Sequence, residues 1–319
     1  MDAIMQPRPT VAAPLLDERE QHFRITGPIT GLKLFLRYLP PTSGADYAHG
    51  TVLYVHGGTF PSALSIAHRF DGRSWRDELC AAGYDVWGLD FHGFGASDPY
   101  PEMADPADAH APLGRADTAT RQLEATVRFI LGHTGAPRLS LVAHSWGAIV
   151  AARFAAECPN LVDRLVFFGP IARRPKQAEP ARFPAWRIVT LADQWERFTA
   201  DVPVGGPPVL SRRHFEAWGE AYLDGDPESR TRLPAGVNVP SGPWQDIADA
   251  DAHAGELGYD LAGIRAPVAI IRGEWDSLST EADAQWLFDA LTASPLKRYV
   301  KIARNAPDAS RSGPLRVVP

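Results

Sequence analysis

At 319 residues with 45% hydrophobic content, the chain can bury a sizeable core as one large domain with an insertion or as two domains. Its net charge of −6, with basic residues such as Arg173, Arg174 and Lys176 forming only a short cluster, argues against a nucleic-acid partner. No run approaches membrane length, and the opening MDAIMQPRPTVAAPLLDERE lacks a signal peptide's continuous apolar core, so a cytoplasmic protein with a loose leader over residues 1–20 is expected.

Gln21 to Thr26 and Leu32 to Tyr38 read as two antiparallel edge strands, and Thr51 to Val55 as a β-branched strand ending in HGGTF. A helix follows over Ser74 to Ala82, with Ser74 as its N-cap, and leads into a strand over Asp85 to Asp90. The helix over Arg115 to Leu131 carries Leu123, Val127, Ile130 and Leu131 on one stripe. Leu139 to Ala143 is a short apolar strand, after which Ile149, Val150, Arg153, Phe154 and Cys158 fall near a helical period. Leu165 to Phe168 is another strand. Strand and helix in alternation imply a mostly parallel sheet with helices on both faces, because parallel neighbours need crossovers. Cys80 and Cys158 fall on predicted helices and read as small buried thiols rather than a disulfide or a catalytic pair.

Between about Ile171 and Leu261 the alternation stops, and Trp186, Trp195, Trp218 and Trp244 lie among prolines and short helical pieces. This stretch reads as a cap over the sheet's active edge. Its tryptophans either line a hydrophobic cleft or, as the plainer reading has it, form the cap's own small core. Val268 to Arg272, Glu281 to Leu291 and Arg298 to Ala303 then read as strand, helix and strand.

Ser145 sits where strand turns to helix, in AHSWG, with the small residues Ala143 and Gly147 two before and two after it. Such a sharp turn projects a serine hydroxyl from the sheet edge and aims the next backbone N–H at a reacting carbonyl. The pattern is AxSxG, a mild departure from GxSxG.

Four motifs in order make the chain resemble the α/β-hydrolase family over nearly its whole length: HGG at His56 to Gly58, DFHGFGAS from Asp90 to Ser97, AHSWG, and GEWD at Gly273 to Asp276. The resemblance implies an α/β fold with a mostly parallel eight-stranded sheet flanked by helices. Its core would span 21–170 and 262–304, with a helical cap inserted over 171–261. It also implies roles: Ser145 as nucleophile forming an acyl-enzyme, the Gly58 and Trp146 N–H groups as the oxyanion hole, Thr59 and Phe60 as pocket residues, and Asp276 as the acid that orients an imidazole. The competing reading of Asp276 is a cap on the following helical turn. His56 and His92 are expected to be structural, and the His144 side chain to diverge from Ser145.

The departure comes where the family places its catalytic histidine. No histidine occurs after Asp276, and the tail over 305–319, NAPDASRSGPLRVVP, has no helical stripe, so the expected last helix is also missing. One choice of codons for Asn305 onward, read one nucleotide later, encodes both a histidine and an amphipathic helix. The tail is therefore expected to be a frameshifted reading of a hydrolase ending, the alternative being a genuine tail without the base. Such a chain should turn over poorly and, with its sheet uncovered, be less stable. Rescue by His214 or His253 requires one of them to reach Ser145.

Three functions remain open: a serine hydrolase acting on a small apolar ester without metal or cofactor, a non-catalytic binder of a small apolar ligand, and an amide or carbon-carbon bond hydrolase. A dehalogenase is disfavoured because the nucleophile position holds serine, not aspartate. Oligomeric state is open.

Overall fold

The computed structural model describes residues 13–42, 49–172, 181–252 and 259–303. The basic cluster at Arg173, Arg174 and Lys176, His253, and the 305–319 tail lie outside the described residues.

Eight strands form one sheet: β1 (Gln21–Thr26), β2 (Lys33–Leu39), β3 (Thr51–Val55), β4 (Asp85–Asp90), β5 (Leu139–His144), β6 (Val162–Phe168), β9 (Val268–Gly273) and β10 (Lys297–Ile302). Their spatial order is β1-β2-β4-β3-β5-β6-β9-β10. The two joints made by β2, to β1 and to β4, are antiparallel, and the remaining joints are parallel. The central strands therefore end together at one edge, where ligands bind in open α/β sheets.

Alternation along each strand divides the core between two faces. On β3, Val52 and Tyr54 join Cys80 of α1 (Trp75–Ala81), while Leu53 and Val55 face the apolar stripe of α2 (Ala116–Thr134) and Val150 of α3 (Gly147–Glu157). Leu123, Val127 and Ile130 of that stripe are fully buried, and Gly135 ends α2 in a left-handed conformation, with φ of 72°. Ser74 caps α1 as its position predicts, accepting from Asp77 N while the Asp77 carboxylate accepts from Ser74 N. Cys80 is buried and Cys158 half-buried, both as free thiols.

Of the segment expected to be a loose leader, residues 1–12 lie outside the described residues, but Asp17 and Glu20 are anchored. Glu20 is buried, receiving Arg37 Nη1 at 2.6 Å and Arg76 Nη1 at 2.5 Å, and Arg69 Nη2 donates to Asp17 at 2.7 Å.

The insertion between β6 and β9 is more than the helical pieces expected. Its strands β7 (Trp186–Thr190) and β8 (Gly236–Pro240) pair antiparallel as a separate sheet, accompanied by α4 (Leu191–Thr199), α5 (Arg212–Leu223) and α6 (Gly242–Ala252). Strands of five residues separated by two helices give no local hairpin signal, so this pairing is invisible to sequence periodicity. Trp218 stacks on Phe215 and Tyr222, and Trp195 meets Phe215 edge-on, forming an aromatic core within the insertion. Phe60, from the loop after β3, inserts against Phe198 and Trp218 and joins that core to the main sheet. Among the described residues the last helix is α7 (Glu281–Ala290), which precedes β10.

Candidate active site

Ser145 stands between β5 and α3 with φ of 54°, a left-handed conformation that a non-glycine residue rarely adopts and that costs about 1–3 kcal/mol. The surrounding chain enforces it. Ser145 N donates to Phe168 O at the end of β6, at 3.0 Å, while Ser145 O accepts from Ala148 N at 3.0 Å and Ile171 N at 3.4 Å. Gly147 is required: a Cβ there would stand 2.4 Å from His56 O and 2.7 Å from Val55 O. The helix thus starts almost against the end of β3, which brings the HGG loop to the elbow. A Cβ on Gly57 would lie 3.1 Å from Ser145 Cβ. Ser145 is half-buried, and its hydroxyl has no hydrogen-bond partner among the described residues.

Gly58 lies beside Trp146; a Cβ on Gly58 would be 4.0 Å from Trp146 Cβ and only 2.8 Å from Pro243 Cβ of α6. The N–H groups of Gly58 and Trp146 make no hydrogen bond among the described residues, so both are free to donate to an oxyanion. The Trp146 side chain is fixed from the insertion, its Nε1 donating to Asp246 Oδ2 at 2.8 Å. Asp246 also accepts from Ala116 N at 2.7 Å and pairs with Arg115, so one carboxylate ties α6 to α2 and to the elbow.

Asp276 follows β9 and belongs to the same edge. Its Oδ1 accepts from Leu278 N at 2.9 Å and Ser279 N at 2.8 Å, which is the turn-capping role weighed for it. Its Oδ2 is left facing Gly169, where a Cβ would stand 3.3 Å away. Gly169 directly follows Phe168, the residue that accepts the Ser145 amide, so Asp276 reaches the elbow's neighbourhood while it caps the turn. Burial raises the Asp276 carboxyl above its ordinary value, the two amides oppose that shift, and Asp201 of the insertion adds to it.

Two of the histidines brace loops, and His144 lies close to the elbow, its Nδ1 and the Ser145 Cβ both within 3.3 Å of where a Cβ on Gly57 would stand. His56 is buried; its Nε2 accepts from Phe91 N at 3.0 Å, so Nδ1 carries the proton and donates to Gly57 O at 2.6 Å, bracing the HGG loop. His92 N donates to Gln122 Oε1, and its ring Nδ1 pairs with Asp98 O. His144 is buried between Phe60 and Phe168, and burial, with Arg197 and His56 nearby, pushes its pKa down to about 3. His214 is engaged elsewhere, with Nε2 at 2.9 Å from Asp71 Oδ1. No described histidine is hydrogen-bonded to Ser145 or Asp276.

The DFHGFGAS turn buttresses the site. Asp90 accepts from Ser62 N and Oγ and from Ala96 N, and Ser97 Oγ donates to Asp90 O while accepting from Phe35 N. Gly95, with φ of 54°, admits the Asp90 carboxylate where a Cβ would stand 2.2 Å from it.

Of the two pocket residues read from the sequence, Thr59 lines a cavity of about 60 Å³ between the loop after β4 and the insertion, with Phe94, Tyr222, Val237 and Val239. Ser145 does not line it. Phe60 lies apart from the cavity, in the aromatic core. Two groups that no sequence pattern marks lie against Phe60 and the acid turn: Arg197, whose guanidinium is 5.5 Å from the Phe60 ring centre, and Asp201, which accepts from Ser277 N next to Asp276. Among the described residues no cluster of three or more His, Cys, Asp or Glu could hold a metal ion, and no helix is long and apolar enough to cross a membrane.

An eight-stranded, mostly parallel sheet with a strained serine elbow between its central strand β5 and the following helix defines an α/β-hydrolase fold. The chain belongs to the family described as serine aminopeptidase, S33, whose model matches residues 48–303. It is 28% identical over 311 residues to epoxide hydrolase A of Mycobacterium tuberculosis, across 87% of this chain and 89% of the relative. Among solved structures it resembles a soluble variant of monoglyceride lipase from Saccharomyces cerevisiae, with a TM-score of 0.58 at 16% identity over 94% of this chain and 89% of the lipase. It also resembles the thioesterase domain from the curacin biosynthetic pathway, with a TM-score of 0.57 at 16% identity over 89% of this chain and 93% of that domain.

Proposed function

We propose that the protein is a serine hydrolase of a small, largely apolar ester, in which Ser145 attacks the carbonyl and the N–H groups of Gly58 and Trp146 receive the developing oxyanion. The left-handed backbone of Ser145, beside two unpartnered amides, is the observation that carries this reading. The tetrahedral intermediate collapses by expelling the alcohol, leaving an acyl group on Ser145 Oγ that water then removes. Asp276, with Oδ2 left facing the elbow's neighbourhood, is the residue to orient and stabilise an imidazolium. With no described histidine hydrogen-bonded to Ser145 or Asp276, the described residues supply the oxyanion donors and binding but no positioned base. The insertion acts as a cap, closing the site through Phe60, Pro243 and Asp201.

The relatives' activities transfer unequally. Opening an epoxide with Ser145 would leave an ether, which has no carbonyl for water to attack, so the epoxide-hydrolase activity of the mycobacterial relative does not suit this nucleophile. Aminopeptidase action requires binding an ammonium, and the insertion presents Arg197 beside the HGG loop. Acyl transfer from esters, the chemistry of a lipase or thioesterase, fits Ser145 without alteration. Turnover of matched ester, anilide and diketone panels by the parent and Ser145→Ala proteins tests the proposal. Ester hydrolysis that disappears in Ser145→Ala supports it, whereas ester turnover unchanged in that variant removes Ser145 from the reaction.

The absence of a histidine after Asp276 favours a second reading, a non-catalytic binder that holds a small apolar ligand under the cap. Ligand binding by a folded protein with no Ser145-dependent turnover is its signature.

A further inference from the structure

The insertion brings Arg197 to the HGG loop, and Arg187 to the neighbourhood of Pro243, without an ion-pair partner for either; Asp193 acts on Arg187 only at a distance, and Asp201 is engaged with Ser277 N. Arg197 lies on α4, and its guanidinium carbon is 5.5 Å from the ring centre of Phe60 and 5.3 Å from that of Phe198. Its Nη2 donates to Gln194 Oε1 at 2.8 Å, a neutral acceptor that leaves its charge uncompensated. Arg187, on β7, packs over Trp244 at 4.2 Å, and its Nε is buried without a hydrogen-bond partner. Trp244 adjoins Pro243, the residue that meets Gly58. Neither arginine forms an ion pair among the described residues. By contrast, Arg37, Arg69, Arg76, Arg115 and Arg232 are all paired with carboxylates, as half-buried or buried guanidiniums normally are.

The position of α4 gives these charges a direction. Arg197 lies against the HGG loop through Phe60, and four residues later Asp201 accepts from Ser277 N beside Asp276. The end of α4 and the residues after it therefore span the site from the oxyanion loop to the acid turn, with the elbow between them. Arg197 is close enough to help depress the pKa of His144, the residue before Ser145. Burial lowers the pKa of Arg197 itself to about 10, and Arg187 adds to this, so it stays charged at neutral pH. In a chain of net charge −6, this local excess of positive charge is not a general property of the surface.

We propose that Arg197, supported by Arg187, holds a carboxylate at the far end of the substrate, so that the preferred esters are half-esters of dicarboxylic acids. The proposal deepens, and as a statement about substrate rests on, the reading of Ser145 as nucleophile. The planar guanidinium matches a carboxylate in a fork. The ligand supplies the anion that the fold withholds, so its binding is charge-assisted in a partly desolvated site.

The test uses Ser145→Ala protein, in which turnover cannot confuse binding. Calorimetric titration with the monoethyl esters of succinic, glutaric and adipic acids is compared with their diethyl esters, in the Ser145→Ala background and with Arg197→Met, Arg197→Lys or Arg187→Met added. At least one half-ester should bind about 10- to 100-fold more tightly than its neutral diester. Arg197→Met should abolish that preference, Arg197→Lys should retain part of it, and added salt should weaken it. Equal binding of half-ester and diester, or a preference intact in both Arg197 variants, overturns the proposal. Failure of the nucleophile reading is separately visible: parent protein that shows the half-ester preference but takes no fluorophosphonate at Ser145 keeps the carboxylate site and loses the hydrolase.

Discussion

Trp146 Nε1 donates to Asp246 Oδ2 at 2.8 Å across a sequence separation of 100 residues, so the residue after Ser145, proposed to offer its amide to an oxyanion, also ties the insertion to the elbow. Asp246→Ala removes that bond together with the acceptor for Ala116 N and one of the two carboxylate partners of Arg115, which keeps Asp249. Its expected effects are a loss of roughly 1–3 kcal/mol in urea unfolding, from leaving the Trp146 indole N–H and the Ala116 amide without their acceptor, and labelling of Ser145 by a fluorophosphonate slowed about 10-fold or more as the amide loses its fixed position. Labelling at the parent rate would mean that the tether does not position the amide.

The φ of 54° at Ser145 predicts a trade between stability and chemistry. Ser145→Gly should stabilise the protein by about 1 kcal/mol, because glycine adopts this conformation without strain. Ser145→Ala, which keeps a Cβ, should bring no such gain. Both variants should be unreactive to fluorophosphonates. Urea midpoints for the three proteins decide the point, and a Ser145→Gly protein less stable than Ser145→Ala would contradict the strained elbow.

Asp276 carries a carboxyl raised by burial, with Oδ2 facing Gly169 beside the elbow. Added imidazole should therefore raise ester turnover in a concentration-dependent way, short of the roughly 100-fold or more that a positioned base contributes. Asp276→Asn should lose most of that rise, having no charge to stabilise an imidazolium. Parallel responses of the parent and Asp276→Asn proteins would remove Asp276 from the proposed role.

Glu20 links stability to pH. Burial alone would raise its pKa, but His22, Arg37 and Arg76 outweigh burial and hold it below its ordinary value. A depressed folded pKa gives stability that is present above the unfolded value of about 4.3 and is lost as pH falls through the folded value. Glu20→Gln should flatten that acid limb and, by stranding two buried arginines, cost about 3–5 kcal/mol at neutral pH. Unfolding free energies measured from pH 7 down to pH 3 check both parts.

The sheet was legible because its strands are short β-branched runs separated by helices with clear stripes: β1, β3 and β4 fall on the residues read for them, and Leu123, Val127 and Ile130 point inward as their spacing implies. Ser145 was legible because strain, small flanking residues and a strand-to-helix switch coincide within five positions. Arg197, Asp201 and Asp246 were not, because their significance lies in contacts across the fold that leave no local period. The pairing of β7 with β8 was hidden for the same reason, as was the anchoring of Glu20, where a charge followed by a strand reads as exposed until two distant arginines are placed beside it.

The most direct test of the account is fluorophosphonate labelling of the folded parent protein, followed by tryptic digestion and mass spectrometry of the peptide Leu139–Arg153. The account predicts a single adduct on Ser145, abolished in Ser145→Ala. A cooperatively folded protein that takes no label on this peptide would contradict an activated serine and leave the chain a binder on a hydrolase fold.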